Sequence, residues 1–407
     1  MGRLNAGQIA TPRDDSGVAS NLDGLVEVQN FAFASEAEPF ELENRLTLPY
    51  VNTAYEMYGQ LNADRDNVIL VAHGLTGSSH AAGRYSWENR RAGYWDDLIG
   101  PGRVFDTDRY CVIAPNALAG CRGTTGPSSI DPRTGKPYGL TFPIVTIRDM
   151  VRVQKRLIDH LGIQGIQLVV GGSMGGMQAL EWAVTYPSIV RAICPIASAS
   201  RSSAQSIAFN ECMRRAIMLD PDWRRGEYYG FPPPNGGLAL ARMIGTITYL
   251  SNPIMEEMFG RKPDTEETSL EHSLHARFDV ERYLHDEGEK LVRRFDPNSY
   301  LYVTRAIDLH DISRGYGSLE AAYGRIQAKV LLIGIRSDIL FYPAHIRRMN
   351  EQLIRAGVQS EYWEIESDYG HDAFLVEQQK MGPAIQSLLS TLPETARLPT
   401  PDRDPSL

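Results

Sequence analysis

The chain contains no run of about 18 apolar residues, so no helix is expected to cross a membrane. Its four cysteines, Cys111, Cys121, Cys194 and Cys212, show no C-x-x-C spacing. That argues against a metal site and against a disulfide framework, and it fits a reducing cytoplasm. No long basic tract is present and the net charge is −9 over 407 residues. Nucleic acid is therefore not expected as the main partner, because neutralising phosphates needs clustered Lys and Arg. The N-terminal "MGRLNAGQIATPRDDSG" lacks the apolar core of a signal peptide. Its Gly2 is not followed by the Ser or Thr expected at residue 6 of a myristoylation signal, which is Ala. Neither G-x-G-x-x-G nor G-x-x-x-x-G-K-[ST] occurs, so no dinucleotide or phosphate loop is expected. No repeat of fixed period and no low-complexity tract interrupts the body.

What is present is ordinary globular composition, 43% hydrophobic and 22% charged, with a β/α rhythm from about residue 45 to 200. Thr47 to Tyr58 reads as an early strand, and "NVILVAH" (67–73) and "YCVIAPN" (110–116) as short buried strands. Over 147–163, Ile147, Met150, Val151, Val153, Gln154, Leu157, Ile158 and Leu161 fall at mostly helical spacing. "IQLVVGG" (166–172) is a strand, "MGGMQALEWAVTYP" the helix after it, and "VRAICPIAS" (190–198) the next strand. Apolar strands alternating with helices predict an α/β fold, a mainly parallel sheet covered on both faces. The rhythm stops near residue 200 and returns with "AKVLLIGIRSD" (328–338) and "SEYWEIES" (360–367). The expected organisation is a core of 26–201 and 309–392 with a helical lid inserted at 202–308. Polar or Pro-rich tails are expected at 1–25 and 393–407.

Gly171-Gly172-Ser173-Met174-Gly175 matches G-x-S-x-G between a strand and a helix. That context puts serine on a sharp turn with its hydroxyl exposed, and small neighbours let the backbone pass close. The helix that follows turns its positive end toward the site. Serine needs a base to take its proton, and the base needs an orienting acid. In this architecture the expected order is Ser, Asp or Glu, then His. Asp338 closes one strand and His371, in "SDYGHDAF", follows the next. Ser173, Asp338 and His371 are thus the expected catalytic triad, at loops that gather on one sheet edge. Asp368 and Asp372 compete with Asp338 by lying nearer the histidine. His310, with an acid beside it, is the stronger rival base but precedes Asp338, and His73 is expected to shape a loop beneath the site. The expected oxyanion donors are the backbone N–H of Met174 and that of Leu75 in "HGLTG" (73–77).

Beyond that motif, "GGSMGGMQALEWA", "GTTGPSSIDPRTGKPYG" (123–139), "ARMIGTITYLS" (241–251), "RSDILFYP" (336–343) and "GHDAFL" (370–375) together resemble the homoserine O-acetyltransferases of methionine biosynthesis. The resemblance spans roughly residues 30 to 390. It implies an α/β-hydrolase fold with a helical lid and a homodimer formed through the lids. It also implies a ping-pong route from acetyl-CoA to L-homoserine through acyl-Ser173, with no permanently bound cofactor. It carries substrate binding to Arg242 and Asp372, and an ammonium and a carboxylate on the acceptor would suit those charges. Tyr249 lies in the same segment as Arg242 and is a candidate to line a tunnel to the serine. Gly74 departs from the family, where alanine is expected. "DLHDISRGYG" (308–317) is more similar to acetyl-using than to succinyl-using members. Homoserine O-succinyltransferase on the same scaffold and a plain serine hydrolase are the alternatives, separable by donor preference and by whether thiol release needs homoserine.

Overall fold

A computed structural model describes residues 25–88, 91–264, 270 and 273–393. Apart from Leu25 and Pro393, the segments read as tails lie outside the described residues. At the centre is an eight-stranded sheet. Its strands in chain order are β1 (Gln29–Phe33), β2 (Val51–Tyr58), β3 (Val68–Ala72), β4 (Cys111–Pro115), β5 (Ile166–Gly172), β6 (Ala192–Ile196), β7 (Lys329–Ile335) and β8 (Ser360–Ile365). Their spatial order is β1-β2-β4-β3-β5-β6-β7-β8. The pairings β1–β2 and β2–β4 are antiparallel, and every other pairing is parallel. The expected parallel sheet is therefore present, with an antiparallel edge at its N-terminal side. The single strand read over 47–58 is two pieces, Thr47–Leu48 and Val51–Tyr58. Pro49 lies between them and has no N–H to donate to a ladder.

Strands β3, β4, β5 and β6 are buried along their whole length. Continuous apolar runs such as "VILVA" are what a strand covered on both faces requires. Helix α1 (Ile147–His160) opens on a capping box in which the Thr146 side chain accepts from the Asp149 N–H. Such a cap contributes about 1 kcal/mol. Its apolar stripe packs on α2 (Met174–Thr185), and Gln154 Nε2 donates to Gln178 Oε1 at 2.6 Å between them.

Between β6 and β7 the chain forms α3 (Ala204–Leu219), α4 (Asn235–Tyr249), α5 (Asn252–Met258), α6 (Asp279–Val292), α7 (Pro297–Asp308) and α8 (Leu319–Tyr323). Helix α4 packs against α3 and α6, and α3 against α7. Met213, Ile217, Leu238, Ala241, Leu291, Phe295, Tyr300 and Leu301 form an apolar cluster among them, and Leu75 of the core packs on it. A second tie is Tyr302 on α7, whose hydroxyl donates to the Phe142 carbonyl at 2.7 Å. Helix α9 (Pro343–Arg355) then covers β7 and β8.

Candidate active site

Ser173 sits where β5 ends and α2 begins, at φ 58° and ψ −122°. An L-residue in that region carries strain of about 1–3 kcal/mol, and it persists only where neighbours over-determine it. They do so here. The Ser173 N–H donates to the Ile196 carbonyl at 2.9 Å. Its carbonyl accepts from the N–H groups of Gly176 (3.0 Å) and Met177 (3.2 Å) and from Ser198 Oγ (2.9 Å). The glycines explain how the turn fits. A Cβ on Gly175 would lie 2.1 Å from the Ala72 carbonyl oxygen, and one on Gly172 would lie 2.3 Å from the Phe374 ring.

Asp338 and His371 come from the loops that follow β7 and β8. After β7 the chain turns so that Asp338 Oδ1 accepts from the N–H groups of Leu340 (2.8 Å) and Phe341 (2.9 Å). That leaves Oδ2 for His371 Nδ1, 2.8 Å away. A carboxylate there fixes the proton on Nδ1 and leaves the Nε2 lone pair free, as a general base requires. The Phe341 ring stacks on the imidazole at 5.2 Å, and Phe374 meets it edge-on at 5.4 Å. Burial works against a charged His371, but the charge and hydrogen bond of Asp338, with the charge of Asp372, outweigh it. The pKa of His371 therefore lies above the ordinary imidazole value.

The loop after β3 approaches the elbow closely. A Cβ on Gly74 would lie 3.7 Å from the Gly172 carbonyl oxygen and 3.9 Å from Ser173 Cβ. The Gly74–Leu75 peptide is locked through its carbonyl: His73 Nδ1 lies 2.8 Å from Gly74 O, and the Gly77 N–H donates to the same oxygen at 3.1 Å. The Ala117 N–H donates to His73 Nε2 at 2.9 Å, so Nδ1 carries the proton. Burial keeps the His73 pKa below its ordinary value, which holds this neutral tautomer. Because peptides are trans, fixing that carbonyl also fixes the direction of the Leu75 N–H. The Met174 N–H opens α2 and is one of the donors a helix leaves unpaired. The arrangement can thus present two N–H groups to an oxyanion on a carbonyl attacked by Ser173.

Arg242 and Asp372 also belong to this region. Arg242 on α4 pairs with Glu287 of α6 at 2.8 Å, and its guanidinium carbon lies 5.5 Å from the Tyr249 ring centroid. Tyr249 in turn lies 6.0 Å, ring to ring, from His371. Burial raises the Asp372 carboxyl pKa to about 6, with Glu287 and Asp338 adding to the rise and Arg242 and His371 opposing it. The pKa of Arg242 is raised, since the charges of Glu287, Tyr249 and Asp372 outweigh its burial.

Of the competitors, His310 and Asp368 are engaged elsewhere, and two further histidines, His80 and His160, are likewise occupied. His310 is buried with Nε2 2.9 Å from the Ala199 carbonyl, and burial lowers its pKa to about 4. His80 pairs with buried Glu56 at 3.1 Å, and His160 stacks on Phe31. Asp368 pairs with Arg336 at 2.5 Å and is half exposed. Sequence reasoning overlooked Glu287, Arg294, Phe341 and Phe374. Glu287 and Arg294 lie among many charges of the 202–308 segment, and nothing in their local spacing sets them apart.

A family model described as alpha/beta hydrolase fold matches residues 67–378. The homoserine O-acetyltransferase of Symbiobacterium thermophilum is 53% identical over 360 residues, which is 88% of this chain and 94% of that protein. That of Carboxydothermus hydrogenoformans is 49% identical over 90% of this chain and 96% of its own. The crystal structure of homoserine O-acetyltransferase from Bacillus anthracis superposes with a TM-score of 0.84 at 32% identity, covering 90% of this chain and 98% of that one. A crystal structure of an esterase superposes with a TM-score of 0.82 at 34% identity, covering 90% and 100%. With this fold and these relatives, the chain belongs to the α/β-hydrolase fold family and, within it, to the homoserine O-acetyltransferases.

Proposed function

We propose that this chain transfers the acetyl group of acetyl-CoA to the hydroxyl of L-homoserine in methionine biosynthesis, through an acetyl-Ser173 intermediate. His371 Nε2 takes the Ser173 proton as Oγ attacks the thioester carbonyl. The N–H groups of Leu75 and Met174 hold the oxyanion. Collapse breaks the carbon–sulfur bond, and the leaving thiolate takes the proton from His371. The homoserine hydroxyl then gives its proton to His371 while its oxygen attacks the acetyl carbonyl. Ser173 leaves and regains that proton. Asp338 holds the imidazole in the correct tautomer throughout. No metal or bound cofactor is needed in this sequence of steps.

The observation that carries the reading is a pair of opposite charges at the base: Asp372 adjoins His371 in the chain, and the Arg242 guanidinium lies 5.5 Å from the Tyr249 ring, which is 6.0 Å from that of His371. An amino-acid acceptor has a carboxylate for the first and an ammonium for the second. Water as acceptor would need neither. Segment 202–308 acts as the lid that shields acetyl-Ser173, and the protein works as a cytoplasmic homodimer joined through those segments. The likeness to an esterase at 34% identity makes hydrolysis the second reading. Thiol release from acetyl-CoA, followed with and without L-homoserine, separates the two. Release that is equally fast without homoserine refutes the transferase. Release much faster with succinyl-CoA refutes the choice of donor. Ser173→Ala is expected to abolish acetyl labelling of the protein.

A further inference from the structure

Among the described residues, one strong charge near this site is bonded to no carboxylate. Arg294 follows α6, and its guanidinium donates to the Thr76 carbonyl at 2.6 Å, with Thr76 Oγ1 at 3.5 Å. Both acceptors are neutral, and among the described residues no carboxylate pairs with it. The contrast with Arg242 is sharp, since Arg242 pairs with Glu287 at 2.8 Å, a carboxylate that also binds Lys290 at 2.9 Å. Arg294 is only partly exposed. Burial, then the charges of Arg242 and Arg122, lower its pKa to about 10, with Glu287 opposing, so it stays cationic at neutral pH.

A half-buried guanidinium pushed by two other cations and bonded only to neutral oxygens is unfavourable unless an anion arrives. The place is specific. Thr76 follows Leu75, the proposed oxyanion donor, and Arg242 sits beside Tyr249, whose ring lies 6.0 Å from that of His371. An acceptor carboxylate near Thr76 would meet the Arg294 guanidinium, a planar donor whose geometry suits a carboxylate. A phosphate of the acyl donor is the other anion available. It lies many bonds from the thioester carbonyl, whereas Arg294 holds the residue adjoining the oxyanion donor.

We infer that Arg294, held on Thr76, is a second carboxylate-binding residue for the acceptor, alongside Arg242. This rests on the reading of the site as one that acylates an amino acid. Because the same guanidinium grips Thr76, seating the carboxylate also fixes the loop that carries the Leu75 N–H. Arg294 thus makes the site select an acceptor with a carboxylate over one with only a hydroxyl and an amine.

The test compares L-homoserine with 3-aminopropan-1-ol, which keeps the hydroxyl and the ammonium and lacks the carboxylate. In Arg294→Gln, kcat/KM for homoserine is expected to fall about tenfold to hundredfold, the worth of one charge-assisted hydrogen bond. For 3-aminopropan-1-ol, which feels only the loss of the Thr76 bond, the fall is expected to be at least about threefold smaller. Arg294→Lys, which keeps the charge without the fork, is expected to fall between wild type and Arg294→Gln for homoserine. The readout is the ratio of the two acceptors within one preparation, so partial misfolding, which lowers both alike, does not imitate it. If Arg294→Gln does not fold, the ratio is read on Arg294→Lys. Equal falls for the two acceptors overturn the inference. A wild-type protein that does not acetylate homoserine instead overturns the reading on which it rests, and the two failures are distinct.

Discussion

Replacing Asp338 by Asn probes the orienting acid with little change of shape. The native carboxylate is completely buried and fully used, Oδ1 by the Leu340 and Phe341 N–H groups at 2.8 and 2.9 Å and Oδ2 by His371 at 2.8 Å. To keep the two backbone donors satisfied, the amide oxygen must take the Oδ1 position. The amide NH2 then faces His371 Nδ1, and two donors confront each other. The imidazole relieves this by moving its proton to Nε2, the nitrogen that must accept from Ser173. The variant also loses the negative charge that raises the His371 pKa and stabilises the imidazolium of the transition state. Together the wrong tautomer and the lost charge are expected to lower kcat by about 10³ to 10⁴, or roughly 4–5.5 kcal/mol of barrier. Initial rates of thiol release with acetyl-CoA and homoserine measure this, alongside a thermal melt to show that the variant is folded. The acid limb of the pH profile is a second readout. The base must be neutral, so activity falls as pH drops through the His371 pKa, and removing the Asp338 charge moves that limb to lower pH. A folded Asp338→Asn variant within tenfold of wild type would refute the assignment of Asp338 as orienter.

Asp372 must be ionised to hold an ammonium, and its pKa of about 6 places the loss of that charge in an accessible range. The KM for homoserine is therefore expected to rise as pH falls through about 6, with Asp372→Asn raising KM and removing this dependence; a flat KM in wild type across that range counts against the role. Gly175→Ala drives a Cβ to 2.1 Å from the Ala72 carbonyl, where only backbone can yield. It is expected to cost about 3 kcal/mol or more, seen as a large fall in Tm. In Gly172→Ala the obstacle is the Phe374 ring at 2.3 Å, which can move but borders His371. Its loss is expected mainly in kcat, and a normal kcat with a normal Tm would contradict the packing argument.

Much of the fold was legible because buried parallel strands and amphipathic helices leave strong local signals. The runs "VILVA" and "IQLVVGG" and the stripe of α1 were read within a few residues of their observed ends. The N-terminal strand β1 was missed. Its residues alternate exposed and half-buried positions at the sheet edge, so little apolar patterning marks it. His73 was expected to shape a loop, and its paired bonds to Gly74 and Ala117 are of that kind.

By itself the sequence determined the order of strands and helices, the strand–serine–helix turn, and the Ser173, Asp338, His371 succession. These are set by local periodicity, by glycines at fixed offsets and by the order of the chain. Only the tertiary structure decided which charges answer which. The pairing of Arg242 with Glu287, the raised carboxyl of Asp372 and the charge of Arg294 against Thr76 depend on how α4, α6 and the segment after α6 meet the core. Groups far apart in sequence acquire their chemistry there from burial and from neighbours that no local pattern encodes.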